Sequence, residues 1–224
     1  MDQTLFSFVN AAWTSPGLDR LMATLSSFDA WCPLLLLAIV GIAVAGCFKS
    51  RAMLLVLLLV VGVTDGVVGN GLKHWVNRPR PNQVEAARVV DLKKMQPRFL
   101  AVLQPPMVRI SQPEAGVIAG RSFPSNHTLD NFAAAAVLAL FYRRWGWLYF
   151  LVAAGVGYSR IYTGSHWPSD VLASVFLGTG LGVLGVAAAE GAWRRWGGSV
   201  APALSKRHPS LLVKGAVQTA EGVA

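Results

Sequence analysis

Long runs of this chain carry no charge, and that constrains its fold more than any other feature. Ala30–Phe48 is uncharged between Asp29 and Lys49, and Ala52–Leu72 holds only Asp65. Trp145–Ser159 and Val171–Ala189 are also charge-free. A bilayer core needs about 20 mostly apolar residues per helix. Three of the stretches meet that length, and Trp145–Ser159 does so by borrowing Arg160–Thr163. A fifth stretch, roughly Phe123–Tyr142, has Asn126, His127, Asp130 and Asn131 in its first turns, so it reads as a helix with a polar top. Only 14% of the residues are charged, against roughly a quarter in soluble domains. A chain of 224 residues is one domain long, and its soluble core could not enclose five such helices. The expected fold is all-α: a polytopic transmembrane bundle of five or six spanning helices, with a site at one membrane face.

Residues 1–29 decide between five and six. Leu18, Leu21, Met22, Leu25 and Phe28 follow helical spacing, with Asp19, Arg20, Ser26 and Ser27 opposite. That pattern reads as an amphipathic helix lying at the membrane surface. The alternative is a first spanning helix, Leu5–Phe28, interrupted by Ser15-Pro16-Gly17. The start lacks the basic leader of a secretory signal. Residues 1–196 are expected to form one membrane-embedded domain, and 197–224 a basic, loosely ordered tail. Cys32 and Cys47 lie near opposite ends of one apolar helix and cannot bridge. The net charge of +9 reads as attraction to lipid headgroups; no nucleic-acid-binding motif is present. Nothing in the sequence fixes an oligomeric state.

Helix parity brings three distant polar clusters to one membrane face. They are Lys73-His74-Trp75-Val76-Asn77-Arg78-Pro79-Arg80-Pro81, Ser122-Phe123-Pro124-Ser125-Asn126-His127-Thr128, and Ser159 through Asp170. The loop 82–121 lies on the same face. It carries Arg88, Lys93, Lys94, Arg98 and Arg109 between apolar residues such as Phe99, Leu100 and Leu103, and is expected to pack on the membrane surface and help admit a lipid headgroup.

These residue types suit phosphate chemistry. Lys73, Arg80 and Arg160 supply cations, and an Arg can grip a phosphate with two parallel hydrogen bonds. Pro124-Ser125 reads as a helix start with Ser125 as cap, which would aim the N–H groups of Asn126 and His127 at an anion. His166 falls just before the helix turn opened by Pro168, and Asp170 within it. A carboxylate on one imidazole nitrogen fixes the tautomer and frees the other to attack. His127 could protonate a leaving oxygen. Each residue also has a plainer reading, because basic side chains at helix ends commonly snorkel or set topology. His166 and Asp170 could be half of a metal site. However, such sites usually need three or four ligands, the clusters hold no Cys or Glu, and three cations would repel a metal. No metal and no cofactor is expected. His74 and His208 read as bystanders. Asp65, about two turns before Lys73, is expected to face the bundle interior.

At these residues the sequence resembles the type-2 phosphatidic acid phosphatase superfamily. Lys73 with Arg80-Pro81, then Pro124, Ser125 and His127, then Ser159, Arg160, His166 and Asp170 match its three-part signature at every spacing. Asn126 stands where the pattern has Gly. The resemblance implies a phosphohistidine mechanism without a metal. In it His166 attacks phosphorus, oriented by Asp170, and His127 protonates the leaving group. Lys73, Arg80, Ser125, the Asn126 backbone and Arg160 hold the phosphoryl oxygens. The implied substrate is a membrane lipid phosphate. The compact size and the first two clusters look most like bacterial undecaprenyl diphosphate phosphatases. Phosphatidylglycerophosphate, phosphatidic acid and lipid A phosphatases are rivals, as are lipid phosphotransferases; a lipid transporter or scaffold is the non-enzyme alternative. Lys49, Arg51, Arg143, Arg144 and the basic tail fall on the face opposite the site. Short basic loops stay in the cytoplasm, so an inner-membrane protein with an outward-facing site is expected.

Overall fold

The computed structural model describes residues 1–113, 116–117 and 119–212. Asp2–Ser7 (α1) widens into a π-turn through Ala12, and Pro16–Ser26 (α2) follows after a break. The break has a local cause: Ser15 is extended, its hydroxyl accepts from the Leu18 N–H at 3.3 Å, and Pro16 opens the first turn. Neither piece is long enough to span a bilayer. On α2, Met22 and Ala23 are buried against Val90 and Tyr162. Asp19 departs from its expected solvent-facing place. It is buried, accepts from the Tyr162 hydroxyl at 2.7 Å and pairs with Arg88 at 2.5 Å.

Three segments among the described residues are long and apolar enough to cross a membrane: Phe28–Ala45 (α3), the run Phe48–Val84, and Pro168–Val200. The middle run comprises α4 (Phe48–Val63), a π-turn at Thr64–Gly69, α5 (Asn70–Val76) and a short turn α6 (Pro81–Val84). After the loop come α7 (Asn126–Phe141), α8 (Tyr149–Tyr162), the long α9 (Pro168–Val200) and α10 (Pro202–Arg207). No residue of α3 is buried. Ile42 meets the edge of the core, and the rest of this all-round apolar helix offers a surface suited to lipid. The central helix is α7. Its Ala133, Val137 and Phe141 pack with Met53, Val56 and Val60 of α4 and Val186 of α9. Glycines set the α7–α9 distance. A Cβ at Gly178 would lie 2.3 Å from the Leu129 carbonyl oxygen, and one at Gly182 would lie 2.5 Å from that of Ala133.

Two expectations need correction. The fold is not purely helical, because loop 82–121 contains strands β1 (Arg88–Asp91) and β2 (Met107–Ile110), paired antiparallel with Val90 opposite Val108. β-branched Val89 and Val90 suit a strand, and both are buried. Between the strands, Arg98–Leu103 forms a 3₁₀-helix, and Arg20 donates to its Val102 carbonyl at 3.1 Å. Nor is the tail loose from Gly197. α9 continues to Val200, and the chain then folds back as far as Leu212. His208 stacks on Phe48 at 4.2 Å, and its carbonyl accepts from the Trp193 indole at 2.7 Å. Glu190 accepts from the Leu211 N–H at 2.8 Å, and Lys49 donates to the Leu212 carbonyl. Aromatic surface and paired polar groups hold this segment; residues 213–224 of the expected tail lie outside those described.

The glycine contacts generate a stability test. Gly178→Ala should lower the unfolding temperature in detergent by the equivalent of about 1–3 kcal/mol, as overpacking does. Gly180→Ala meets nothing within 4 Å and should lower it little. Equal melting of the two variants would contradict this account of the α7–α9 interface.

Candidate active site

Backbone contacts draw the three clusters together. α5 ends at Asn77 in the left-handed conformation (φ 50°), which Asn tolerates better than most residues. The turn then meets the second cluster: Ser122 N donates to the Arg78 carbonyl at 2.9 Å, and Gly120 N to that of Asn77 at 3.1 Å. The approach leaves no room for a side chain at Gly120, whose Cβ would sit 2.7 Å from the Pro79 Cα. The Trp167 indole donates to the Pro79 carbonyl at 3.0 Å and so joins the third cluster to the first. Between α8 and α9, Ser165 N and His166 N both donate to the Arg160 carbonyl, at 3.0 and 3.1 Å. Gly164, at φ 74°, lets this loop pass under β1.

His166 and Asp170 are buried together but are not hydrogen-bonded to each other. His166, 3% exposed, places Nδ1 2.6 Å from the Ser122 carbonyl oxygen. A carbonyl only accepts, so Nδ1 carries the proton and Nε2 keeps its lone pair. Asp170, fully buried, accepts from the Ser122 hydroxyl at 2.5 Å, the Trp167 N–H at 3.2 Å and Arg78 at 2.6 Å. The expected direct Asp170–His166 pair is therefore replaced by a link through Ser122. The cause is the turn at Ser122, whose carbonyl reaches the ring while its hydroxyl takes the carboxylate. Burial, with the nearby charges of Arg160, Arg80 and Lys73, holds the His166 imidazole well below its ordinary pKa; the Ser122 carbonyl works the other way.

The cations converge on the same place. Arg160, Lys73 and Arg80 act electrostatically on both His127 and His166. Arg160 donates to the Ser26 hydroxyl, and its buried Nε has no partner. Ser125 is not the side-chain cap expected from sequence. Its hydroxyl accepts from Thr128 at 3.0 Å and its N–H donates to Ser174 at 2.9 Å, because α9 packs directly over it. The first-turn position still leaves the N–H groups of Asn126 and His127 without an intrahelical acceptor. Asn126 donates to Asp65 and packs against Gly69, where a Cβ would lie 2.7 Å from its Oδ1. Asp65 is exposed on the lone chain but touches the site through this bond. His74 is exposed.

Arg80 and Arg160 open onto a basin of about 1170 Å³ beneath the loop, which also has Ser26, Lys93, Lys94 and Ser165 in its lining. Sequence reasoning missed four contributors. Arg78 and Ser122 stand inside the quoted clusters, but only geometry gives them roles. Ser26 was read as facing away from the helix's apolar side. Asp2, which accepts from Arg78 at 2.6 Å and from Ser169 N at 3.0 Å, left no signal.

The sequence and fold are similar in part to those of known proteins. The chain is 46% identical over 57 residues to the bacitracin transport permease protein BcrC of Bacillus licheniformis, covering 25% of this chain and 28% of that protein. It is 41% identical over 66 residues to an undecaprenyl-diphosphatase of Sulfolobus acidocaldarius, covering 29% and 32%. It is 35% identical over 122 residues to a lipid A 1-phosphatase of Rhizobium johnstonii, covering 54% and 42%. The chain thus spans less than half the length of these relatives. The crystal structure of Aquifex aeolicus LpxE superposes with a TM-score of 0.56 at 25% identity, over 83% of this chain and 94% of that one. Residues 52–194, more than half of the chain, match the family model described as PAP2 superfamily, and the chain belongs to that superfamily.

Proposed function

We propose that this protein is an integral-membrane lipid phosphatase that removes a phosphate or diphosphate group through a phosphohistidine intermediate. The observation that carries the reading is the His166 imidazole, tautomerically fixed by the Ser122 carbonyl and within electrostatic reach of Arg160, Arg80 and Lys73. Nε2 of His166 attacks phosphorus as the bond to the lipid-side oxygen breaks, and His127 gives that oxygen a proton. Water then cleaves the P–N bond, with His127 taking its proton. Arg80, Arg160, Lys73, Ser125 and the N–H groups at Asn126 and His127 stabilise the phosphoryl oxygens. Asp170 positions His166 through Ser122, and the low imidazole pKa keeps Nε2 unprotonated at neutral pH. The cations supply the charge neutralisation that a metal would otherwise provide, so no metal is invoked. Undecaprenyl diphosphate is the first substrate to test, on the strength of the named relatives; the lipid A 1-phosphatase relatives favour a phosphorylated glycolipid as the second. The reading takes α3, the α4–α5 run, α7, α8 and α9 as five spanning helices; the short basic connections at Lys49–Arg51 and Arg143–Arg144, opposite the site, then favour a site at the outer face of the inner membrane.

His166→Ala should leave the protein folded and reduce phosphate release below about 1% of wild type, the loss expected for a covalent nucleophile. Vanadate, a mimic of the five-coordinate transition state, should inhibit, and EDTA should not. Turnover by His166→Ala above that level would sink the covalent route.

The low His166 pKa has a stability consequence with a definite sign. As pH falls through about 6.5, the unfolded chain takes up a proton here and the folded protein does not, so acid favours unfolding. Wild type should lose stability relative to His166→Gln between pH 7 and pH 5, read as unfolding temperature. A gap that stays constant across that range would refute the buried, neutral imidazole.

Orientation can be read with cysteines at Gln104 and Ser205 in a background lacking Cys32 and Cys47. An impermeant thiol reagent on cells with a permeabilised outer envelope should label Gln104→Cys and spare Ser205→Cys. The reverse pattern would put the site on the cytoplasmic face.

A further inference from the structure

We propose that the basin over Arg80 and Arg160 holds a second anion subsite, which takes a charged group set apart from the phosphoryl group that reacts. The proposal rests on the phosphatase reading and adds a statement about the head of the substrate. Size is the first argument. The basin measures about 1170 Å³, while pockets for whole drug-sized ligands run roughly 300–1,000 Å³. One phosphoryl group would fill a small part of it.

Charge is the second. Among the described residues, Arg80, Arg160, Lys93, Lys94, Arg98 and Arg109 line the basin, against only the carboxylates of Asp29 and Asp91. Those two make loose, exposed pairs with Arg98 and Arg109, at 3.9 and 3.8 Å, of the kind that contributes little and opens readily. Among the described residues no hydrogen bond or ion pair engages Lys93 or Lys94. A cleft lined by one sign of charge focuses its field on an incoming anion.

The wall is also built rather than loose. β1 pairs with β2, Arg88 is tied to Asp19, and the Arg20–Val102 bond fixes the 3₁₀-helix. This arrangement matches a sugar-sized lipid head bearing a phosphate or carboxylate beyond the reacting group. The headgroup of a neighbouring anionic lipid offers the same chemistry.

The test uses the full chain in zwitterionic micelles with two lipids of one disaccharide core. One is phosphorylated only at the reacting position, the other at the far end as well. Wild type should favour the doubly phosphorylated lipid in kcat/KM by roughly tenfold or more, the size of one charge-assisted hydrogen bond. In Lys93→Ala/Lys94→Ala the ratio should fall close to one, while Arg143→Ala/Arg144→Ala, at the far end of α7, should keep it. A second arm adds phosphatidylglycerol to micelles of the singly phosphorylated lipid. Activation that disappears in the Lys93/Lys94 variant would assign the subsite to a neighbouring lipid. If neither arm depends on Lys93 and Lys94, the subsite is overturned. Release of phosphate from neither lipid, nor from undecaprenyl diphosphate under the same conditions, would instead sink the phosphatase reading. The subsite would then be judged by whether the doubly phosphorylated lipid binds more tightly to wild type but not to the variant.

Discussion

A single buried carboxylate holds the three clusters in register. Asp170 is fully buried and takes hydrogen bonds from Arg78 of the first cluster, Ser122 of the second and the Trp167 N–H of the third. A buried charge left unpaired costs several kcal/mol, so these contacts stand or fall together. Arg78 divides its guanidinium between Asp170 and Asp2, which extends the same constraint to the N-terminal segment. The orientation of the His166 ring, and through it the access of Nε2 to a substrate, depends on this knot.

Around the knot the protein is built in two manners. α7 and α9 meet through glycine and small-residue surfaces that leave no slack, as helices do where lipid tails provide no hydrophobic drive for association. The loop over the site is held by polar contacts instead: Asn10 bridges the Arg88 and Tyr162 carbonyls, and Asp19 joins Arg88 to Tyr162. The rigid part fixes the imidazoles and the polar part shapes the entrance above them.

The helical class and the meeting of the three polar clusters were legible in the sequence, because hydrophobic runs and motif spacing are read from residue order alone. It could not show that His166 bonds to a main-chain carbonyl, since backbone partners leave no trace in residue identity. Ser125 has the residue type of a cap, but α9 packing claims its N–H and Thr128 its hydroxyl. Asp19 looked solvent-facing because its partner Arg88 lies 69 residues away. The hairpin was hidden by its four-residue strands, too short for a clear alternation, and the tail by the aromatic contacts that capture it.

The π-turn at Thr64–Gly69 also sets a rotational phase. Each residue added to or removed from a helix turns everything beyond it by about 100°. The orientation of α5, and with it the direction in which Lys73 leaves the helix, is therefore tied to the wide turn beneath it. Loss of one residue there would shorten the apolar run by only ~1.5 Å, too little to disturb its fit to a bilayer. It would nevertheless swing the lysine around the helix axis, away from Arg80, and change the site without changing any residue in it.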